Sequence, residues 1–173
     1  GMDASGNFIC YRKASGDYLD LIKLDSNGDS ILTKTLSCPG LSVTADFNDL
    51  DMTGMHLTPN GDILIGFELL DSAGTGFYTM YFILLASSFN IIWERKFYQP
   101  ILEGDAYGVA YNNPERFAIM AGSFFYTNIY TSDTLGGTEG ELIVKLPLDG
   151  TGTGEYFPNA VYTTSSIFLI ENH

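Results

Sequence analysis

The hydrophobic positions of the chain fall in short runs, such as Ile63-Leu64-Ile65 and Met80-Tyr81-Phe82-Ile83-Leu84-Leu85, set between segments rich in Gly, Asn, Asp and Ser. Runs of this length bounded by turn chemistry predict β-strands joined by tight turns. The runs also recur. Leu21-Ile22-Lys23-Leu24, Phe82-Ile83-Leu84-Leu85 and Ile143-Val144-Lys145-Leu146 line up, with Leu24, Leu85 and Leu146 standing 61 residues apart (85 − 24 and 146 − 85). The same offset carries Leu32 onto Trp93 and Leu36 onto Phe97, so the first two copies share a strand, a turn and a second strand. Upstream, Asp51-Met52-Thr53-Gly54-Met55 matches Asp105-Ala106-Tyr107-Gly108-Val109 at an offset of 54 (105 − 51). Each leads through a turn, Thr58-Pro59-Asn60-Gly61 or Asn112-Asn113-Pro114-Glu115, into an apolar run, Ile63-Leu64-Ile65-Gly66 or Phe117-Ala118-Ile119-Met120. In the first copy the equivalent is Gly6-Asn7-Phe8-Ile9.

One unit therefore reads as four short strands, and a four-stranded antiparallel meander repeated along a chain predicts the blade of a β-propeller. The expected fold is all-β, a propeller-like array of about three units over 3–43, 44–104 and 105–160, with 161–173 beginning a further strand pair. Such an array is either an incomplete ring or a ring closed by two chains. The first unit lacks its entry strand, so the sequence reads as a piece of a longer repeat protein. Gly1 ahead of Met2 reads as the remnant of a removed tag, and the first apolar run is too short for a signal peptide. The spacers Ser15-Gly16-Asp17, 71–76 and 126–140 are predicted to be loops of growing length between the second and third strands.

Residues 72–93 carry no charged side chain and are long enough to cross a bilayer. Gly74, Gly76, Ser87, Ser88 and Asn90 interrupt them, and the repeat aligns them with segments that hold Lys23 and Lys145. A strand buried on both faces is expected there, and no membrane span.

Charge narrows the partners. Among 173 residues, 21 acidic against 8 basic side chains leave a net charge of −13, which opposes nucleic acid and anionic membranes alike. With 45% hydrophobic and 14% aromatic residues the chain is too apolar for a disordered acidic tail. Most acids fall in predicted turns, as a solvated rim. Cys10 and Cys38 match no zinc spacing and read as unpaired structural residues.

The segments Ile22-Lys23-Leu24-Asp25-Ser26-Asn27-Gly28, Asn90-Ile91-Ile92-Trp93-Glu94-Arg95 and Val144-Lys145-Leu146-Pro147-Leu148-Asp149-Gly150 resemble the recurring phrase of propeller-like repeat proteins of bacteria and phages. The version at 144–154 is similar to terminal repeats of large uncharacterised proteins from marine phages and metagenomes. The resemblance implies a structural, adhesive or partner-binding module in an extracellular or virion setting, and it brings no catalytic residues. The middle copy departs from the phrase, with Ala86 where Asp25 stands and Phe89 where Gly28 stands.

Candidate chemistry is sparse. Asp25-Ser26-Asn27-Gly28-Asp29 opens like a calcium loop, but Ser30 and Leu36 stand where an EF-hand needs Gly and Glu, so a hairpin turn is the expected reading. His56 is the only internal histidine, and a Ser-His-Asp site would have to use it; a structural strand histidine is favoured. Glu68, Asp71, Glu103 and Asp105 fall near strand ends and read as surface acids. Asp51 and Asp105 occupy a repeated position, which fits either a shared ligand role or a turn cap. Tyr126, Asn128 and Tyr130 alternate along one face of an aromatic stretch, a pattern suited to sugar recognition, against which an extended second strand is favoured. The Gly-Thr-Gly-Thr-Gly of 150–154 lacks the Lys and helix of a phosphate loop. The expected protein is a non-enzymatic module with no cofactor and no metal, binding a protein or glycan or forming a homodimer. The alternative is a carbohydrate-binding or glycan-active propeller domain.

Overall fold

The computed structural model describes residues 1–13, 18–39, 52–70, 78–98, 110–111, 118–119, 122–132, 139–156 and 160–172. The protein is all-β, every strand pairing is antiparallel, and the described residues include no helix. Three sheets form. The first contains β1 (Phe8–Lys13), β2 (Tyr18–Leu24), β3 (Ser30–Ser37) and, beside β3, the distant β14 (Leu169–Asn172). The central sheet runs β4 (Met52–Leu57), β5 (Ile63–Leu70), β6 (Tyr78–Leu85) and β7 (Ile91–Tyr98), and continues through β13 (Ala160–Thr164) to β12 (Gly154–Tyr156). The third joins β11 (Glu139–Pro147) to β10 (Phe124–Ser132), whose other edge holds the short β8 (Ala110–Tyr111) and β9 (Ala118–Ile119).

The turns follow from local chemistry. In segments 3–7, 25–29, 58–62 and 86–90 the first residue's N–H donates to the carbonyl of the fifth, and the fourth residue's N–H donates back to the carbonyl of the first. The fourth residue lies in the left-handed region, at φ 82° in Gly6, 89° in Gly28 and 83° in Gly61. Glycine adopts this conformation without cost, as hairpin loops with an adjacent bulge require. The register shifts beside Leu24 and Leu85 are those bulges. At 86–90 the fourth residue is Phe89, yet its φ is 61° and the turn keeps its hydrogen bonds. Gly150, 61 residues further on, has φ 76° and donates to the Pro147 carbonyl as Gly28 does to Asp25 and Phe89 to Ala86.

Alternation along the central strands explains the uninterrupted apolar run. Ile63, Ile65, Phe67, Tyr81, Ile83 and Leu85 point to one face and pack with Ile9, Leu19, Leu21 and Leu36 of the first sheet. Leu64, Met80, Phe82 and Leu84 point to the other and pack with Phe125, Val144 and Leu146 of the third. The central sheet is thus a middle layer whose β6 supplies alternate residues to two cores, so the run from Met80 to Leu85 is apolar on both faces. No described helix is long and apolar enough to cross a membrane.

Three expectations change. The sheets are layered and open, with no ring closed among the described residues. The predicted loop over 126–140 is mostly strand, because β10 and β11 pair from Phe124↔Pro147 to Ser132↔Glu139. Aromatic and β-branched residues over 124–131 favour that extended hairpin more than the flanking Gly and Thr favour a loop. The segment expected to begin a new strand pair is divided: β13 extends the central sheet along β7, and β14 crosses to the first sheet.

Gly150 seats the third sheet's turn beneath Trp93. A Cβ there would lie 2.9 Å from the indole ring, while Trp93 Nε1 donates to the Leu148 carbonyl at 3.0 Å and Arg95 Nε to the Gly150 carbonyl at 2.7 Å. Gly150→Ala adds this clash to left-handed backbone strain and is expected to lower stability by about 2 kcal/mol, read from urea unfolding. The same substitution at Gly28, where a Cβ meets nothing within 4 Å, keeps only the strain component and is expected to cost about 1 kcal/mol.

Candidate functional site

The residues singled out by sequence do not converge on one point. Tyr126 is half-buried on β10, in register with Lys145 on one side and Ala118 on the other. Positions 128 and 130 follow at two-residue spacing, paired with Ile143 and Glu141, and Tyr130 also meets Tyr111 of β8. Phe125 of the same strand is buried against the central sheet, so the alternate set that begins with Phe124 and Tyr126 belongs to the outer face of the third sheet. There Ile143 is exposed and the Lys145 ammonium sits 3.9 Å from the centroid of the Phe124 ring. The face thus presents a cation held over an aromatic ring and an exposed isoleucine.

His56 lies on β4 opposite Leu64 and is half-buried. Asp51 and Asp105, and with them the question of a repeated acid, lie outside the described residues.

The calcium-like segment is occupied by its own backbone. Asp25 Oδ1 accepts the N–H groups of Asn27 at 2.8 Å and Asp29 at 3.0 Å. Those donors, Asp29 foremost, hold the Asp25 carboxyl below its ordinary value. Asp3 makes the same turn before β1; the Asn7 side chain leads the interactions that bring its pKa down to about 2. Asp149 is lowered chiefly by the Thr151 hydroxyl. No group of three or more His, Cys, Asp or Glu among the described residues is placed to hold a metal. Cys10 is half-buried and Cys38 buried, and no disulfide joins them.

Two buried carboxylates escaped the sequence reading. Asp20 takes Arg12 Nη2 at 2.6 Å and the Thr35 hydroxyl at 3.0 Å from the flanking strands. Glu94 takes the backbone N–H groups of Ile167 at 2.7 Å and Phe168 at 3.2 Å, and its carbonyl takes that of Ser165. Phe168 is thereby set 5.2 Å from the Phe67 ring and 5.8 Å from the Tyr81 ring, centroid to centroid. The signal was an acid inside an apolar strand, Leu19-Asp20-Leu21 and Ile92-Trp93-Glu94, where a surface residue was the simpler assignment. Both carboxylates fasten backbone or neighbouring strands.

Tyr162 is fully buried, and its hydroxyl has no hydrogen-bond partner among the described residues. Tyr162→Phe is expected to raise stability by about 1 kcal/mol by removing an unsatisfied polar group. Burial raises the phenol pKa above its ordinary 10. Above about pH 10 the unfolded chain can release this proton and the buried phenol cannot, so stability falls as pH rises beyond that point and is unaffected by it below. Urea midpoints at about pH 8 and about pH 11 should show a smaller alkaline loss in the Phe variant than in the parent.

No protein-family model, no curated protein and no solved structure matches the chain.

Proposed function

We propose that the chain is a propeller-like, non-enzymatic module with a structural, adhesive or partner-binding role, as its resemblance to repeat proteins of bacteria and phages implies. One observation carries the reading: the central sheet is covered on both faces, and the positions that meet in its two cores correspond at the 61-residue offset, Leu21 with Ile83 in one and Phe82 with Val144 in the other. Blades in a propeller pack in this face-to-face order. The turn acids Asp3, Asp25 and Asp149 are engaged by their own turns, which supports a scaffold over a catalytic site.

A second reading, carbohydrate binding, is favoured by the spacing of Tyr126, Asn128 and Tyr130 along β10 and by the half-exposed Phe124 beside them. A glycan array probed with the whole chain, followed by incubation with the same glycans, separates the two. The scaffold reading expects neither retention nor cleavage. Retention abolished by Tyr126→Ala would establish the second reading, and released sugar would overturn both non-enzymatic versions.

A further inference from the structure

We infer that the molecule associates head to tail with a second copy of itself, the outer face of the third sheet of each chain docking on the outer face of the first sheet of the other. The inference rests on the layered reading proposed above and names the partner it implies.

The two interfaces inside the chain repeat one pattern. The face bearing Leu21 covers the face bearing Ile83, and 61 residues later the face bearing Phe82 covers the face bearing Val144. Each contact also sends a cation from one sheet to the turn of the next: Lys34 Nζ reaches Asn90 Oδ1 at 2.7 Å, and Arg95 Nε reaches the Gly150 carbonyl at 2.7 Å. The next term in the series would set the face bearing Ile143 against the face bearing Ile22. Those are the two outer faces of the stack.

Both outer faces expose apolar side chains whose counterparts inside the chain are buried, and the first-sheet face also carries the Arg12–Asp20 ion pair. Ile143 is 69% exposed, whereas its counterparts Leu21 and Phe82 are wholly buried. Phe8 is 49% exposed, whereas Ile63, at the corresponding place 55 residues on (63 − 8), is wholly buried. Ile31 lies near Phe8 at one end of the first sheet, Tyr18 and Leu169 are exposed at its other end beyond the Arg12–Asp20 pair, and Phe124 shares the third-sheet face with Ile143. Large exposed apolar patches mark association surfaces. The third-sheet face holds the exposed Lys145, and the first-sheet face holds the exposed Glu171 next to the Arg12–Asp20 pair. Because the faces differ, the contact is heterologous, and three sheets per chain turning in the propeller-like arrangement proposed above let two copies close a pair that uses each face once.

Sedimentation velocity of the whole chain at about 100 μM tests this. The expected species is a dimer. Phe8→Asp alone and Ile143→Asp alone should each weaken the dimer at least about tenfold, because each places a carboxylate in the contact. Mixing the two variants should restore a heterodimer, since one intact pair of faces remains. Unchanged urea midpoints would show that the variants fold, and Tyr18→Asp replaces Phe8→Asp should that variant be unstable. A monomeric parent, sensitivity to only one of the two substitutions, or open strings longer than two would overturn the head-to-tail pair. A monomer that leaves the glycan results negative would remove this association and keep the scaffold reading, whereas glycan cleavage would remove that reading whatever the sedimentation.

Discussion

Replacing Phe89 with alanine is expected to cost about 3–5 kcal/mol of unfolding stability, and replacing it with glycine about 1 kcal/mol less. This inverts the ordinary order, in which glycine is the more damaging substitution. Phe89 is fully buried in the core between the first and central sheets and holds φ at 61°. Either substitution empties the ring's place. Alanine also keeps a Cβ in the left-handed region, while glycine has none to strain. The structure thus stores backbone strain at one hairpin in return for an aromatic side chain driven into the core. Paired urea titrations of the two variants check the order. An alanine variant as stable as the glycine variant would mean that the turn had relaxed to another conformation.

The second large effect belongs to Glu94. Removing its carboxylate leaves two backbone N–H groups, those of Ile167 and Phe168, without their acceptors in a part-buried to buried setting. Glu94→Ala is expected to cost about 3 kcal/mol, and Glu94→Gln about half of that, because one carbonyl oxygen can still accept. The damage should be local before it is global. Segment 165–168 carries the chain from β13 to β14 and buries Phe168. Hydrogen exchange should therefore show amides of 169–172 losing protection while β5 and β6 retain theirs. Uniform loss across all three sheets would show that Glu94 supports the global core instead.

The all-β class was legible because its signals are local: Gly at the fourth place of the turns ending at Asn7, Asp29 and Asp62, and apolar runs of strand length between them. The offset of 61 residues aligned Gly28, Phe89 and Gly150, but Phe in place of Gly argued against a shared hairpin in the middle copy; the three share a backbone conformation all the same, because the flanking strands set the chain direction on either side. What sequence could not supply was long-range pairing. Nothing in Leu169-Ile170-Glu171-Asn172 specifies β3 as its neighbour, and nothing in Gly154-Glu155-Tyr156 says that it leaves β11 to pair with β13. Over Tyr126 to Gly140 two readings competed, a loop from its Gly and Thr and an extended strand from the alternation of Tyr126, Asn128 and Tyr130, and the aromatic half of the segment decides for the strand. The candidate site was least legible. Its members were chosen by residue type, and chemistry that depends on spatial convergence has no signature in a chain with one internal histidine.

The crossing of β14 to the first sheet has a kinetic consequence. Ile170 pairs with Leu36 across nearly the whole described chain, so β3 waits with an unpaired edge until 169–172 have left the ribosome. The nascent chain at that stage presents a three-stranded sheet with one open side and an apolar face, the arrangement most prone to pairing with a neighbouring nascent chain. Slow synthesis of the last third of the sequence would lengthen that interval, and chaperone dependence should rise with it.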